Sequence, residues 1–143
     1  MSSLEFTRGR RVVARLTHGG DLLEEIVKVA AEHNMQAAEL RAIGALSAAR
    51  LAYYDQTAHT YGELAFDAPL EIASLMGNIS FRDGALFVHA HATLSDHDGA
   101  CVGGHVYPGC TIFACELILQ ELVGEPLVRE FDEVTGLGLW RGL

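Results

Sequence analysis

The sequence predicts an α+β domain, a mostly antiparallel β-sheet packed with one main amphipathic helix. Three observations carry that reading. A single early stretch has helical periodicity, and the remainder falls into short apolar, β-compatible runs separated by turn residues. No apolar run approaches the ~20 residues that span a bilayer. With 143 residues the chain can bury one core but hardly two, so a single domain over 1–143 is expected.

Arg11 to Thr17 reads as a first strand, and His18-Gly19-Gly20 as a turn. Asp21 then looks like a helix N-cap, with Glu24 three residues on completing a capping box. Leu22, Leu23, Ile26, Val27, Ala30 and Ala31 recur at helical spacing, so a helix is expected over 21–33 with Asn34 as its C-terminal cap. Strands follow over 38–45 and 47–55, with a bulge or bend at Gly44. Residues 56–59 form a turn, 61–66 a short strand, Asp67-Ala68-Pro69 a break and 70–81 a longer strand. Arg82-Asp83-Gly84 is a turn signal opening a hairpin. The run 111–122, TIFACELILQEL, fits a helix or a buried strand; its β-branched start and the bounding Gly109 and Gly124 favour a strand. Leu127 to Phe131 reads as an edge strand, and Gly136 to Trp140 closes the chain.

Ten basic against nineteen acidic residues give a net charge of −9. Nucleic-acid binders gain affinity by neutralising phosphates with Lys and Arg, so this balance disfavours DNA unless the bases are segregated. Arg8, Arg10, Arg11, Arg15, Lys28, Arg41 and Arg50 do crowd into the first fifty positions, which an ordinary solvated face also explains. Three cysteines without a CxxC pair argue against a disulfide framework, and Cys115 reads as a small buried hydrophobe. The first eight residues lack the apolar core of a signal peptide, so a cytoplasmic protein is expected.

Four of the seven histidines fall in the stretch GNISFRDGALFVHAHATLSDHDGACVGGH, His97 at its turn and His89, His91 and His105 on the strands of the hairpin. In a strand Leu86, Val88, Ala90, Ala92 and Leu94 face the core, while Phe87, His89, His91 and Thr93 face away. A three-residue loop His97-Asp98-Gly99 pairs Asp96 with Ala100, and counting outward sets Ser95 against Cys101, Thr93 against Gly103 and His91 against His105. His89 becomes the diagonal neighbour of His105, so the three imidazoles converge. Three histidine ligands leave a tetrahedral ion one open position, the arrangement of catalytic rather than structural zinc. Gly103 and Gly104 suit either a ligand pocket or a close backbone. Cys101 lies about 13 Å from His105 along the strand, too far to share an ion. His18, His33, His59 and His97 read as solvated. Glu71 and Glu116, each interrupting an apolar strand, are the candidates to orient the ligands from outside.

The succession Gly77-Asn78-Ile79-Ser80, Asp83-Gly84, His89-Ala90-His91, Leu94-Ser95-Asp96, Gly99 and Gly103-Gly104-His105 resembles the Plants and Prokaryotes Conserved domain in its prokaryotic form. The likeness extends to Gly19-Gly20-Asp21, Ala42-Ile43-Gly44-Ala45, Tyr53-Tyr54-Asp55 and Leu70 to Leu75, and covers 10–122 as the domain core. The resemblance implies an α+β domain assembling as a homotrimer. It also implies a DNA-binding or transcription-associated protein, because plant members carry the domain behind AT-hooks. Here Arg8-Gly9-Arg10 is followed by Arg11 rather than the proline an AT-hook needs.

The reading that follows is a trimeric protein holding a metal ion, zinc or a similar divalent ion, on His89, His91 and His105. DNA binding is the alternative, and an assembly module whose partner supplies the activity is a third reading. The sequence names neither a general base nor a substrate pocket, so it leaves catalysis undecided.

Overall fold

The structure, a computed structural model, describes residues 3–143. Alternating apolar residues turn most of the chain into nine strands around one helix: β1 (Thr7–Arg15), α1 (Leu22–Glu32), β2 (Ala38–Asp55), β3 (Thr60–Phe66), β4 (Leu70–Arg82), β5 (Ala85–Ser95), β6 (Cys101–Val106), β7 (Thr111–Val123), β8 (Val128–Asp132) and β9 (Leu137–Trp140). The sheet runs β1-β7-β2-β6-β5-β4-β8-β9, with β3 paired to β2. Every pairing is antiparallel except β4 with β8. The expected mostly antiparallel sheet is present, and its helical partner is a single helix of 11 residues. No helix among the described residues is long and apolar enough to cross a membrane.

Asp21 caps α1 as expected, its Oδ1 accepting from the N–H groups of Leu23 and Glu24 at 3.0 and 3.1 Å. Glu24 does not complete the capping box. Glu25 reaches back instead, accepting from the Thr17 N–H at 3.2 Å. Leu22, Ile26 and Ala30 are buried against the core, and the helix ends where Asn34 takes a left-handed φ of 53°. The second carboxylate oxygen of Asp21 accepts from Gly109 N–H at 2.6 Å, tying the helix start to the turn before β7. Asp21→Ala should therefore lower stability by about 2 kcal/mol, at the upper end for a lost N-cap. Urea unfolding measures this; a change below about 0.5 kcal/mol would show that water replaces the carboxylate.

The two strands expected over 38–45 and 47–55 are one 18-residue strand, β2. Its register shifts between Ala42 and Gly44, and Gly44 has φ 147°, so the expected bulge bends a continuous strand rather than ending it. The first half of β2 pairs with β7 and β4; the second half pairs with β3 and, through Leu51 and Ala52, with β6. Pairings thus run from β2 through β4, β5 and β6 back to β2 and close a ring. The 111–122 run is a strand, with Ile112, Cys115, Leu117 and Leu119 buried and Phe113 and Ile118 exposed. The expected edge strand is β8, but β9 lies outside it and forms the true edge. The core face of the hairpin is as expected, with Val88, Ala90, Ala92 and Leu94 at most 6% exposed.

Candidate metal centre

His89 and His91 stand two residues apart on β5, on the face turned away from the core, and His105 stands on β6. The register is His91↔His105, Thr93↔Gly103 and Ser95↔Cys101, as the loop count requires. Ring centroids are 5.3 Å apart for His89–His91, 5.1 Å for His89–His105 and 5.3 Å for His91–His105. One nitrogen from each ring lies within 4.8 Å of the others. A tetrahedral ion at about 2.1 Å from each nitrogen needs them about 3.4 Å apart, a difference that rotation of the side chains can close.

Burial sets the protonation state. His89 is pushed down to about 4 by desolvation first, then by the Arg129 charge and its two neighbouring histidines. His105 is likewise pushed down to about 4 by desolvation, His91 and Arg129. Both rings are neutral at pH 7, so each presents a lone pair. His105 Nδ1 is also buried with no hydrogen-bond partner. Such an atom costs about 1–3 kcal/mol, and an ion shared with His89 and His91 would remove that cost. The donor set therefore fits a metal.

The same shift has a consequence for the metal-free protein. Unfolded histidine titrates near 6.5, so between pH 6.5 and about 4 the unfolded chain binds more protons than the folded one. Stability from these two groups is complete above pH 6.5 and is lost as the pH falls through that window. The loss by pH 4.5 should be on the order of 2–3 kcal/mol, less than two independent shifts would give because the rings are coupled. Urea midpoints across pH 8 to 4.5 measure it. A midpoint that stays flat below pH 6.5 contradicts the burial.

The remaining expectations sort by geometry. His97 is exposed in the loop beside Asp98, and His18 Nδ1 contacts the Phe113 carbonyl. His33 forms the helix C-cap and His59 stacks on Tyr54. Cys101 faces Ser95 at the far end of the hairpin. Gly103 and Gly104 serve close backbone approach rather than a pocket: added Cβ atoms would come within 3.0 Å of the Ala92 carbonyl oxygen and 2.9 Å of that of Ala52. Neither Glu71 nor Glu116 orients the histidines. Glu71 pairs with Ser95, four residues along β5 from His91, and Glu116, on β7, which does not adjoin β5, pairs with Arg15 and Ile43.

The outer partner is an arginine. Arg129 on β8, 8% exposed, donates to Ser80 Oγ and Asn78 Oδ1 at 2.9 Å each and to the Gly138 carbonyl at 2.8 Å. Its Nη2 also lies 3.3 Å from His89 Nδ1. Sequence reasoning missed it because only two residue pairs join β8 to β4, and that parallel pairing leaves no local pattern. One signal was present, a lone arginine inside the run Leu127-Val128-Arg129. Tyr61 of β3 and Tyr107 close the other side, their rings 5.3 and 5.8 Å from that of His105. Burial and the neighbouring tyrosines raise the Tyr61 hydroxyl above its ordinary pKa.

Comparison with known proteins places this geometry among relatives. The family model of the Plants and Prokaryotes Conserved domain matches residues 3–123. The structure is similar to the metal-containing protein AF0104 from Archaeoglobus fulgidus, with 41% identity, a TM-score of 0.93 and coverage of 98% of this chain and 99% of that one. It is similarly close to a plant- and prokaryote-conserved protein of Pyrococcus horikoshii, at 33% identity and TM-score 0.93 over 100% of this chain and 99% of the other. The bifunctional protein GlmU of Synechococcus sp. strain JA-2-3B'a(2-13) is 37% identical over 124 residues, 85% of this chain. The chain spans only 18% of the length of that relative.

Proposed function

We propose that this chain, which belongs to the Plants and Prokaryotes Conserved domain family, binds one divalent metal ion on His89, His91 and His105, and that the ion is zinc. The observation carrying this reading is the convergence of one nitrogen from each ring within 4.8 Å. The metal-containing nature of AF0104, 41% identical over nearly the whole chain, supports it. Three imidazole donors with an open fourth position suit zinc better than the oxygen-seeking magnesium or calcium. A zinc ion held there would supply Lewis-acid polarisation to an oxygen ligand. The chain's own residues hold the rings in place, the sheet setting them through the His91↔His105 register. Elemental analysis and zinc titration of the purified protein test the proposal. About one equivalent per chain is expected, and neither resident metal nor uptake would sink the reading.

The reading includes assembly as a homotrimer. A row across the sheet, His91–Met76–Arg41–Ile118–Val13, lies on the face opposite the helix. Met76 is 58% exposed, Ile118 42% and Val13 72%, an apolar surface that association would cover. Light scattering should give three times the 15.5 kDa chain mass, and a monomer at micromolar concentration overturns the trimer.

Duplex binding has less support. Arg10 of the N-terminal cluster is bound by Glu121 at 2.6 Å, Arg50 by Asp67 at 2.6 Å, and Arg41 sits 3.3 Å from Glu39. A net charge of −9 opposes the rest. No salt-dependent duplex shift is expected; retention at low salt would restore this reading.

A further inference from the structure

We propose that the site takes a small oxyanion, a carboxylate or phosphate group, drawn in by Arg129 and Arg82 beside the three histidines. One of the two anchors this gives the ligand, the metal, rests on the reading above; the other, the arginine pair, does not.

Arg129 is a buried cation without a counter-charge. Its partners Ser80, Asn78 and the Gly138 carbonyl are neutral oxygens, and among the described residues no carboxylate lies within ion-pair distance of it. Burying an unpaired charge is costly, and hydrogen bonds to neutral groups offset only part of that cost. The protein adds aromatic faces, with the guanidinium carbon 5.6 Å from the Phe87 ring centre and 5.4 Å from that of Trp140. These contacts hold the cation in place while leaving its charge uncancelled.

A second cation stands beside it. Arg82 lies over the same Phe87 ring at 4.5 Å, and its one acidic neighbour, Asp83, is 3.6 Å away and almost wholly exposed. Only three arginines follow residue 50, Arg82, Arg129 and Arg141, and two of them meet here in a chain with nineteen acidic residues. Like charges gathered this way repel unless an anion joins them.

Unmet hydrogen-bonding capacity concentrates at the same place. Among the described residues two buried side-chain polar atoms lack a partner, His105 Nδ1 and Trp140 Nε1. Trp140 pairs with Arg129 across β8 and β9. Among the described residues Arg129 also keeps at least one N–H without a protein acceptor, since its contacts use at most four of the five donors a guanidinium carries. Trp140 Nε1 and the spare Arg129 N–H are donors that want acceptor oxygens, and an oxyanion supplies both oxygens and charge. His91, at the rim of the cluster, is exposed and leaves it open to solvent.

Trp140 is the only tryptophan, so its fluorescence reports the neighbourhood of Arg129 directly. The full-length protein, metal-free and zinc-loaded, is titrated in low-chloride buffer with acetate, with inorganic phosphate and with neutral acetamide, and binding is confirmed by calorimetry. Saturable binding of acetate or phosphate but not acetamide is expected in the metal-free protein, tighter by about tenfold once zinc is present. The better anion identifies the ligand group. Arg129→Gln should weaken binding about tenfold or more, Arg129→Lys should restore part of it, and Arg82→Gln should cost a few-fold. Arg82 is half exposed, so Arg82→Gln and Arg129→Lys decide the matter if Arg129→Gln does not fold. No anion binding in either form, equal binding of acetamide, or affinities unmoved by every arginine variant overturns the inference. Anion binding without zinc uptake removes the metal reading alone, and zinc uptake without anion binding removes this inference alone.

Discussion

His91→Ala should lower zinc affinity by on the order of 10²–10³-fold while leaving the metal-free fold intact. Structural zinc sites gain roughly 10–16 kcal/mol from their ligands together, so one of three imidazoles accounts for several kcal/mol. His91 is the informative position because it is exposed and pairs directly with His105, whereas His89 and His105 are half-buried and their loss would disturb packing as well. Removing this exposed side chain should change stability by less than about 0.5 kcal/mol. His97→Ala is the matched control, an exposed histidine six residues on in the hairpin loop. Competition with a chelating dye gives the affinities and urea unfolding the stabilities. Equal zinc affinity in His91→Ala and the parent would mean that the cluster is not the site.

Much of this centre was legible because a hairpin is local. Strand alternation chose the face of His89 and His91, and the Gly99 loop, with φ 80°, set the register that brings His105 opposite His91. What surrounds the ligands comes from far along the chain. Arg129 arrives 40 residues after His89, and Tyr61 comes on β3 by way of its pairing with β2. No periodicity links such positions, which is why Glu71 and Glu116, conspicuous within their own strands, looked like better partners. The helix start shows the same limit at short range. Asp21 was legible as a cap, but the backbone turn at Gly19-Gly20 decides whether Glu24 or Glu25 reaches back, and Thr17 lies within reach of Glu25. Gly44 was legible as a bend, but not as the point that lets one strand serve two sets of neighbours.

That role makes Gly44→Ala the substitution with the largest expected cost to the fold, about 3–5 kcal/mol. A Cβ there would run into the Ala114 carbonyl oxygen and come within 2.8 Å of Cys115 Cα, both backbone atoms of β7 that cannot swing aside. Overpacking of this kind costs about 1–3 kcal/mol. The φ of 147° adds about 1–3 kcal/mol more, since side chains disfavour it. Gly84→Ala separates the two terms: its φ is 79°, but nothing lies within 4 Å of the added carbon, so it should cost only about 1 kcal/mol. The damage should also reach the histidines. Beyond the bulge β2 continues to Ala52, which pairs with His105, so straightening or displacing the strand at Gly44 moves the third ligand relative to the other two. Gly44→Ala should therefore weaken zinc binding even where the protein remains folded, while Gly84→Ala leaves it unchanged. Urea midpoints and zinc affinities for the pair check both effects, and a loss below 1 kcal/mol at Gly44 would show that β7 can shift to admit the side chain.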